Sequence, residues 1–185
     1  MKIATATLES VAPYVQSRKH DTPKLERETA DAYEARTWRN KSTTDKSGIV
    51  CIPGAAFKQA IDAAAKYLSI QVPGKGKATY TKHFKSGVLC FEHVPLGVKQ
   101  EDTLQLRINA NSDGVRGSGK RVTRFFPQIE SWKARVTFHV LDEIVTEDIF
   151  NEVLIGAGQF IGIGSFRPEN SGFCGRFEVK DLKWE

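Results

Sequence analysis

Apolar positions along the chain recur with two periods, and the change of period marks the elements. Residues 2–8 alternate weakly between apolar and polar and read as a strand. Residues 17–48 are polar and charge-dense with few aliphatics, which predicts a long loop carrying a short helical piece over 25–36. The run Ile49-Val50-Cys51-Ile52 is a short buried strand ended by Pro53-Gly54. Phe57, Ile61, Ala64 and Leu68 then fall at helical spacing in an alanine-rich segment, predicting a helix over 55–68. From 75 to 127 the pattern reads as one or two extended hairpins, with strands at 88–91 and 104–108 and a mobile tip rich in Asn, Ser and Gly at 109–120. Val136, Phe138 and Val140 share one face of a strand over 132–141. Thr146 caps a second helix, with Glu147 and Asp148 in its first turn. A glycine-punctuated apolar segment (156–164), a polar turn (165–171) and a closing strand (175–179) finish the chain.

Two helices distributed among strands in this order predict an α+β sandwich of the split βαβ type. At 185 residues the chain fits one domain, 1–185, with 17–48 as a long functional loop and 73–127 as an inserted hairpin region. No internal repeat interrupts it.

Composition narrows the function. A hydrophobic share of 40% with 26% charged residues excludes wholesale disorder. The net charge of +5 tolerates a polyanionic partner without demanding one. Cys51, Cys90 and Cys174 are far apart and form no CxxC pair, which argues against a thiolate zinc site and for a reducing, cytoplasmic compartment. No apolar stretch reaches the roughly 20 residues needed to span a bilayer, so no membrane partner is expected.

Four groups of residues are candidates for contact with a polyanion. Arg167 and Arg176 flank the glycine-rich stretch 162–177, where glycines let backbone approach a phosphate and Phe166 and Phe173 offer stacking faces. Lys75, Lys77 and Lys82 are interleaved with Tyr80, His83 and Phe84, and Arg116, Lys120, Arg121 and Arg124 lead into Phe125-Phe126. Cations beside aromatics are what a backbone-tracking groove with stacking platforms requires. Trp38-Arg39, in the long loop that Arg18 opens, pairs an aromatic with a cation. Lys58 sits in the first turn of a helix, an unfavourable place for a cation unless an anion joins it there. The same segments also read as a solvated hairpin, a loop anchored by a buried Trp, and a plain exposed lysine. Enzymatic motifs are absent: there is no GxxxxGK[ST], no GxSxG and no HExxH, so no catalytic residue, metal or cofactor is expected. His20 beside Asp21 is the one general-acid candidate.

The segment Ile52-Pro53-Gly54-Ala55-Ala56-Phe57-Lys58 resembles the isoleucine-proline-glycine signature of the RAMP superfamily of CRISPR proteins, and 162–177 resembles that superfamily's glycine-rich loop. The resemblance implies an RNA-recognition-motif (ferredoxin-like) core with an inserted β-hairpin "thumb". It also implies a non-enzymatic backbone-type subunit that binds single-stranded RNA on its sheet and oligomerises along the strand, with other CRISPR-complex subunits as further partners. Lys58, Arg167 and Arg176 fall on motif positions near the bound strand. Where some relatives carry a cleaving aspartate, this chain has Thr37-Trp38-Arg39, with Asp31 and Asp45 to either side. A phage-encoded relative that binds or anneals single-stranded DNA, a metal-independent endoribonuclease using His20, and a protein that docks on a CRISPR complex are the alternatives.

Overall fold

The computed structural model describes residues 1–111, 117, 119 and 121–185. In chain order its elements are β1 (Lys2–Ser10), β2 (Tyr14–Val15), α1 (Ala30–Thr37), β3 (Ile49–Ile52), α2 (Gly54–Leu68), α3 (Thr81–Gly87), β4 (Val88–Leu89), β5 (Val94–Lys99), β6 (Leu104–Asn111), β7 (Arg121–Ile129), β8 (Lys133–Val140), α4 (Glu147–Gly156) and β9 (Phe177–Trp184). The fold is mixed α+β, built on antiparallel sheets. The main sheet has the order β4-β8-β1-β9, a second has β2-β7-β6, and β3 pairs with β5.

Strict alternation sets the main sheet's two faces. Ala4, Ala6 and Leu8 of β1 and Val136, Phe138 and Val140 of β8 are buried, and the register pairs Ala4 with Phe138 and Ala6 with Val136. Helices α2 and α4 cover this face. Phe57 of α2 meets Phe138 edge-on at 6.5 Å, and Phe150 of α4 meets Phe138 at 5.3 Å. Each such ring contributes on the order of 1.5–3 kcal/mol by burial. The other face carries Thr5, Thr7, Arg135 and Thr137, flanked by the pairs Lys133–Glu9 and Lys180–Glu178.

Gly54 is fixed by a close approach. A Cβ there would lie 2.7 Å from the carbonyl oxygens of Cys90 and Glu92, so only glycine lets α2 start against that strand exit.

Several expectations are corrected. A helix, α3, occupies part of the segment read as hairpin, because Tyr80, His83 and Phe84 all turn into the core, with Phe84 stacked on Phe150 at 6.3 Å. The strand read over 88–91 is reduced to two residues, and β5, carrying Pro95 and Gly97, was not legible. The glycine-punctuated segment begins as helix: α4 runs to Gly156 and continues as a π-turn, Ala157–Ile161. Asn109 to Asn111, assigned to the tip, are strand residues paired with Thr123, Val122 and Arg121. The rest of that tip, with Arg116 and Lys120, lies outside the described residues except for Gly117 and Gly119. Among the described residues no helix is long and apolar enough to cross a membrane.

Candidate nucleic-acid interface

The long early loop is tied down residue by residue. Thr29 caps α1 by accepting from the Ala32 amide at 3.2 Å. Arg36 at the end of α1 grips Glu28 through two parallel bonds of 2.7 and 2.9 Å, which holds the Glu28 carboxyl down to about 2. The Tyr33 hydroxyl donates to the Thr22 carbonyl at 2.7 Å. Buried Gln16, just after β2, donates to the Cys51 carbonyl and accepts from the Thr43 amide, each at 2.8 Å. These bonds fold the loop on itself and tie it to the end of β2 and to β3.

A buried carboxylate closes the arrangement. Glu34 of α1 pairs with the Lys41 ammonium, accepts from the Phe125 amide of β7 at 2.8 Å and faces Arg124 at 3.4 Å. Burial pushes its carboxyl up, but the Lys41 and Phe125 hydrogen bonds and the two cations outweigh that and hold it below the usual range. Lys41 also donates to the Phe125 carbonyl at 2.7 Å and lies 4.5 Å over the Phe126 ring. Phe126 in turn meets Phe166 of the glycine loop at 5.2 Å.

The resulting groove has two lobes. The first, about 360 Å³, lies between the start of α2 (Pro53, Ala56, Gln59) and the glycine loop (Gly162 to Ser165), with Arg167 and Tyr14 on its walls. The second, about 490 Å³, is lined by Lys19, His20, Tyr33, Lys41, Arg124 and Phe126. Ser17 and Arg18 line both lobes. The Arg18 main chain is pinned to the Lys41 carbonyl at 2.9 Å, while its exposed guanidinium makes no bond among the described residues. Arg167 is held by two bonds to Glu169, at 2.9 and 2.7 Å, and one to the Gly164 carbonyl at 3.2 Å. Gly164, at φ +75°, leaves room for Val15 and Tyr14 to pass beneath the loop: a Cβ there would meet the Val15 oxygen at 2.5 Å. None of the lining residues belongs to the main sheet, so the groove runs beside the sheet and not over its open face.

The structure brings together Arg18, Arg124 and Arg167 from the expected set. The other described members of that set lie elsewhere, and Arg116 and Lys120 fall outside the described residues. Trp38 is 4% exposed, so its ring anchors the loop, and Arg39 stacks on it at 4.2 Å. Lys58 bonds Asp62 at 2.5 Å and the carbonyls of Phe84 and Lys85 at 2.8 and 3.0 Å, so the protein's own carboxylate and carbonyls account for a cation at this helix start without a bound anionic ligand. Lys75, Lys77 and Lys82 are exposed beyond the opposite end of α2, and the aromatics between them are buried and stack on nothing outside. Arg176 donates to the Gln159 carbonyl at 2.8 Å and lines a separate apolar hollow of about 370 Å³. Arg121 is exposed at the start of β7. Lys19, Tyr33 and Gln59 were missed: each is one polar or aromatic residue in a varied stretch, and only the folded loop gives them a common wall. Among the described residues no group of three or more His, Cys, Asp or Glu is placed to hold a metal ion.

No family model and no curated protein matches the sequence. Among solved structures, the crystal structure of Cmr6 from Pyrococcus furiosus is similar, with a TM-score of 0.52 over 97% of this chain and 99% of that chain, at 14% identity. At that identity the likeness concerns the fold alone.

Proposed function

From a RAMP-like fold as premise, we infer that this chain is a binding subunit whose ligand is single-stranded RNA seated in the two-lobed groove. The observation that carries the reading is the Arg18 guanidinium, unengaged within the described protein and placed where the lobes meet. A phosphate is the group that satisfies an unpartnered planar fork of donors beside clustered glycine backbone. Lys19, Lys41, Arg124 and Arg167 extend the positive wall, while Tyr33 and Phe126 offer faces to bases.

The finer architecture follows. β1, α2, β4, β8, α4 and β9 give the order βαββαβ, and this order together with the sheet order β4-β8-β1-β9 supports reading them as an RNA-recognition-motif (ferredoxin-like) core. On this reading β6 and β7 are the inserted thumb. Copies of the chain line up along one strand, alone or with other subunits of a CRISPR-type complex.

The test is the affinity of a labelled oligouridylate for wild type and Arg18→Glu over a salt series. The reading expects at least a tenfold loss on substitution and a log–log salt slope of about −2 to −3.5, for three to five phosphates at about −0.7 each. Equal affinities and a flat salt response would sink it. Competition with the matching DNA oligomer separates RNA from DNA binding, and negative-stain images of the loaded protein test for filaments. One observation keeps RNA cleavage as a second reading. The His20 ring lines the second lobe, oriented by Thr22 at 3.0 Å and stacked on Tyr33 at 6.1 Å. Metal-free cleavage of labelled RNA that His20→Ala abolishes would establish it, and intact RNA would remove it.

A further inference from the structure

The first lobe's lining on α2 reaches Gln59 and Ala60, and the helix surface continues beyond it. Residues 59, 63 and 67 recur at intervals of four on α2 and so share one helix face, which runs out of the lobe toward the helix C-terminus. The neighbouring wall does the same: Ile161 lines the lobe, and Phe160 precedes it in the π-turn that packs against α2. The two paths meet at a pair of rings. Tyr67 and Phe160 lie 5.1 Å apart with their planes tilted by 32°, and they are 62% and 44% exposed. Among the described residues this is the one ring contact between two exposed aromatics.

We propose that the Tyr67–Phe160 pair is a base-stacking platform that extends the groove, taking bases of the same polynucleotide after it leaves the first lobe. The inference rests on the groove reading above. Three features favour a nucleobase over a protein partner. The patch is narrow: Gln59, Lys66 and Ser69 around it are exposed and polar, whereas a stable protein interface needs about 800 Å² per partner around an apolar centre. On the 59–63–67 face of α2 the side chain between Gln59 and Tyr67 is Ala63, a small residue that leaves that ridge low. Length also fits. Eight residues of helix advance about 12 Å, which a single strand spans in about two to four nucleotides, the larger number for a fully stacked rise of about 3.4 Å.

The experiment is a length scan with oligoadenylates of 4 to about 14 nucleotides, comparing wild type, Tyr67→Phe and the double variant Tyr67→Ala with Phe160→Ala. Wild type and Tyr67→Phe should gain affinity as the oligomer lengthens by its last two to four nucleotides. The gain should be about 5- to 150-fold for each stacked base. The double variant should bind the shortest oligomers as wild type does and lack that late gain. Identical length dependence in all three proteins overturns the proposal. So does a change of the double variant's sedimentation coefficient with its binding curve unaltered, since that outcome assigns the rings to a second copy. If Arg18→Glu leaves short-oligomer affinity intact, the groove itself is misplaced, which is a separate failure.

Discussion

Replacing Glu34 by alanine would remove a carboxylate that joins α1, the Trp38–Lys41 turn and strand β7. Three partners lose their acceptor, and they do not lose equally. Arg124 has a side chain 40% exposed and simply resolvates, so its share is small. Lys41 is 13% exposed and, among the described residues, keeps the Phe125 carbonyl and the Phe126 ring. The Phe125 amide is left without its acceptor, which costs about 1–3 kcal/mol when buried. Breaking a buried pair from one side costs about 3–5 kcal/mol. With the exposed arginine discounted, the lower end applies, about 3 kcal/mol. For a chain of this size that is a fall in Tm of about 6–12 °C. Glu34→Gln keeps an acceptor for the amide and should lose less. The pH dependence has a fixed sign. The folded carboxyl titrates below its unfolded value, so its stabilisation is complete above the ordinary carboxylate range near 4.3 and fades as pH falls through the folded value. Glu28, held to about 2 by Arg36, adds an acid limb of the same sign. Urea denaturation of the three proteins at pH 7 and pH 3 measures both effects. A loss below about 1 kcal/mol at pH 7 for Glu34→Ala, or a loss equally large at pH 3, would refute the reasoning.

Three further outcomes are expected. Gly164→Ala should destabilise by about 2–5 kcal/mol, combining the left-handed backbone with a Cβ 2.6 Å from the Tyr14 ring; denaturation reads it, and a change under 1 kcal/mol would contradict the packing. Cys51, Cys90 and Cys174 should resist alkylation by iodoacetamide at pH 8 until denaturant is added, because burial raises all three thiols, Cys90 to about 12. Lys58→Ala should lower stability by freeing Asp62 and the α3 carbonyls while leaving oligonucleotide affinity within twofold; a tenfold loss of affinity would return Lys58 to the binding surface.

Much of the fold was legible because it rests on alternation and spacing. β1, β8 and α2 stand where period two and period 3.6 placed them, and the capping threonine of α4 was visible as a residue type. The failures have physical causes. α3 is seven residues long and has no capping side chain, so its buried Tyr80, His83 and Phe84 look like the aromatics of a binding hairpin. β5 contains a proline and a glycine, which disguise a strand. Within the site, sequence showed charge type but not charge commitment. Arg18 and Lys58 look alike in composition, yet one guanidinium has no bond among the described residues and the other residue's ammonium has three acceptors. The groove needs the loop's tertiary bonds from Gln16 and Glu34, and no local pattern encodes those.

The location of the bound strand decides the account most directly. RNA carrying photoreactive uridines, crosslinked to the protein and mapped by peptide mass spectrometry, should mark residues 17–20, 124–126 and 162–167. Crosslinks gathered instead on Thr5, Arg135, Thr137 and Lys183, the helix-free side of the main sheet, would contradict it.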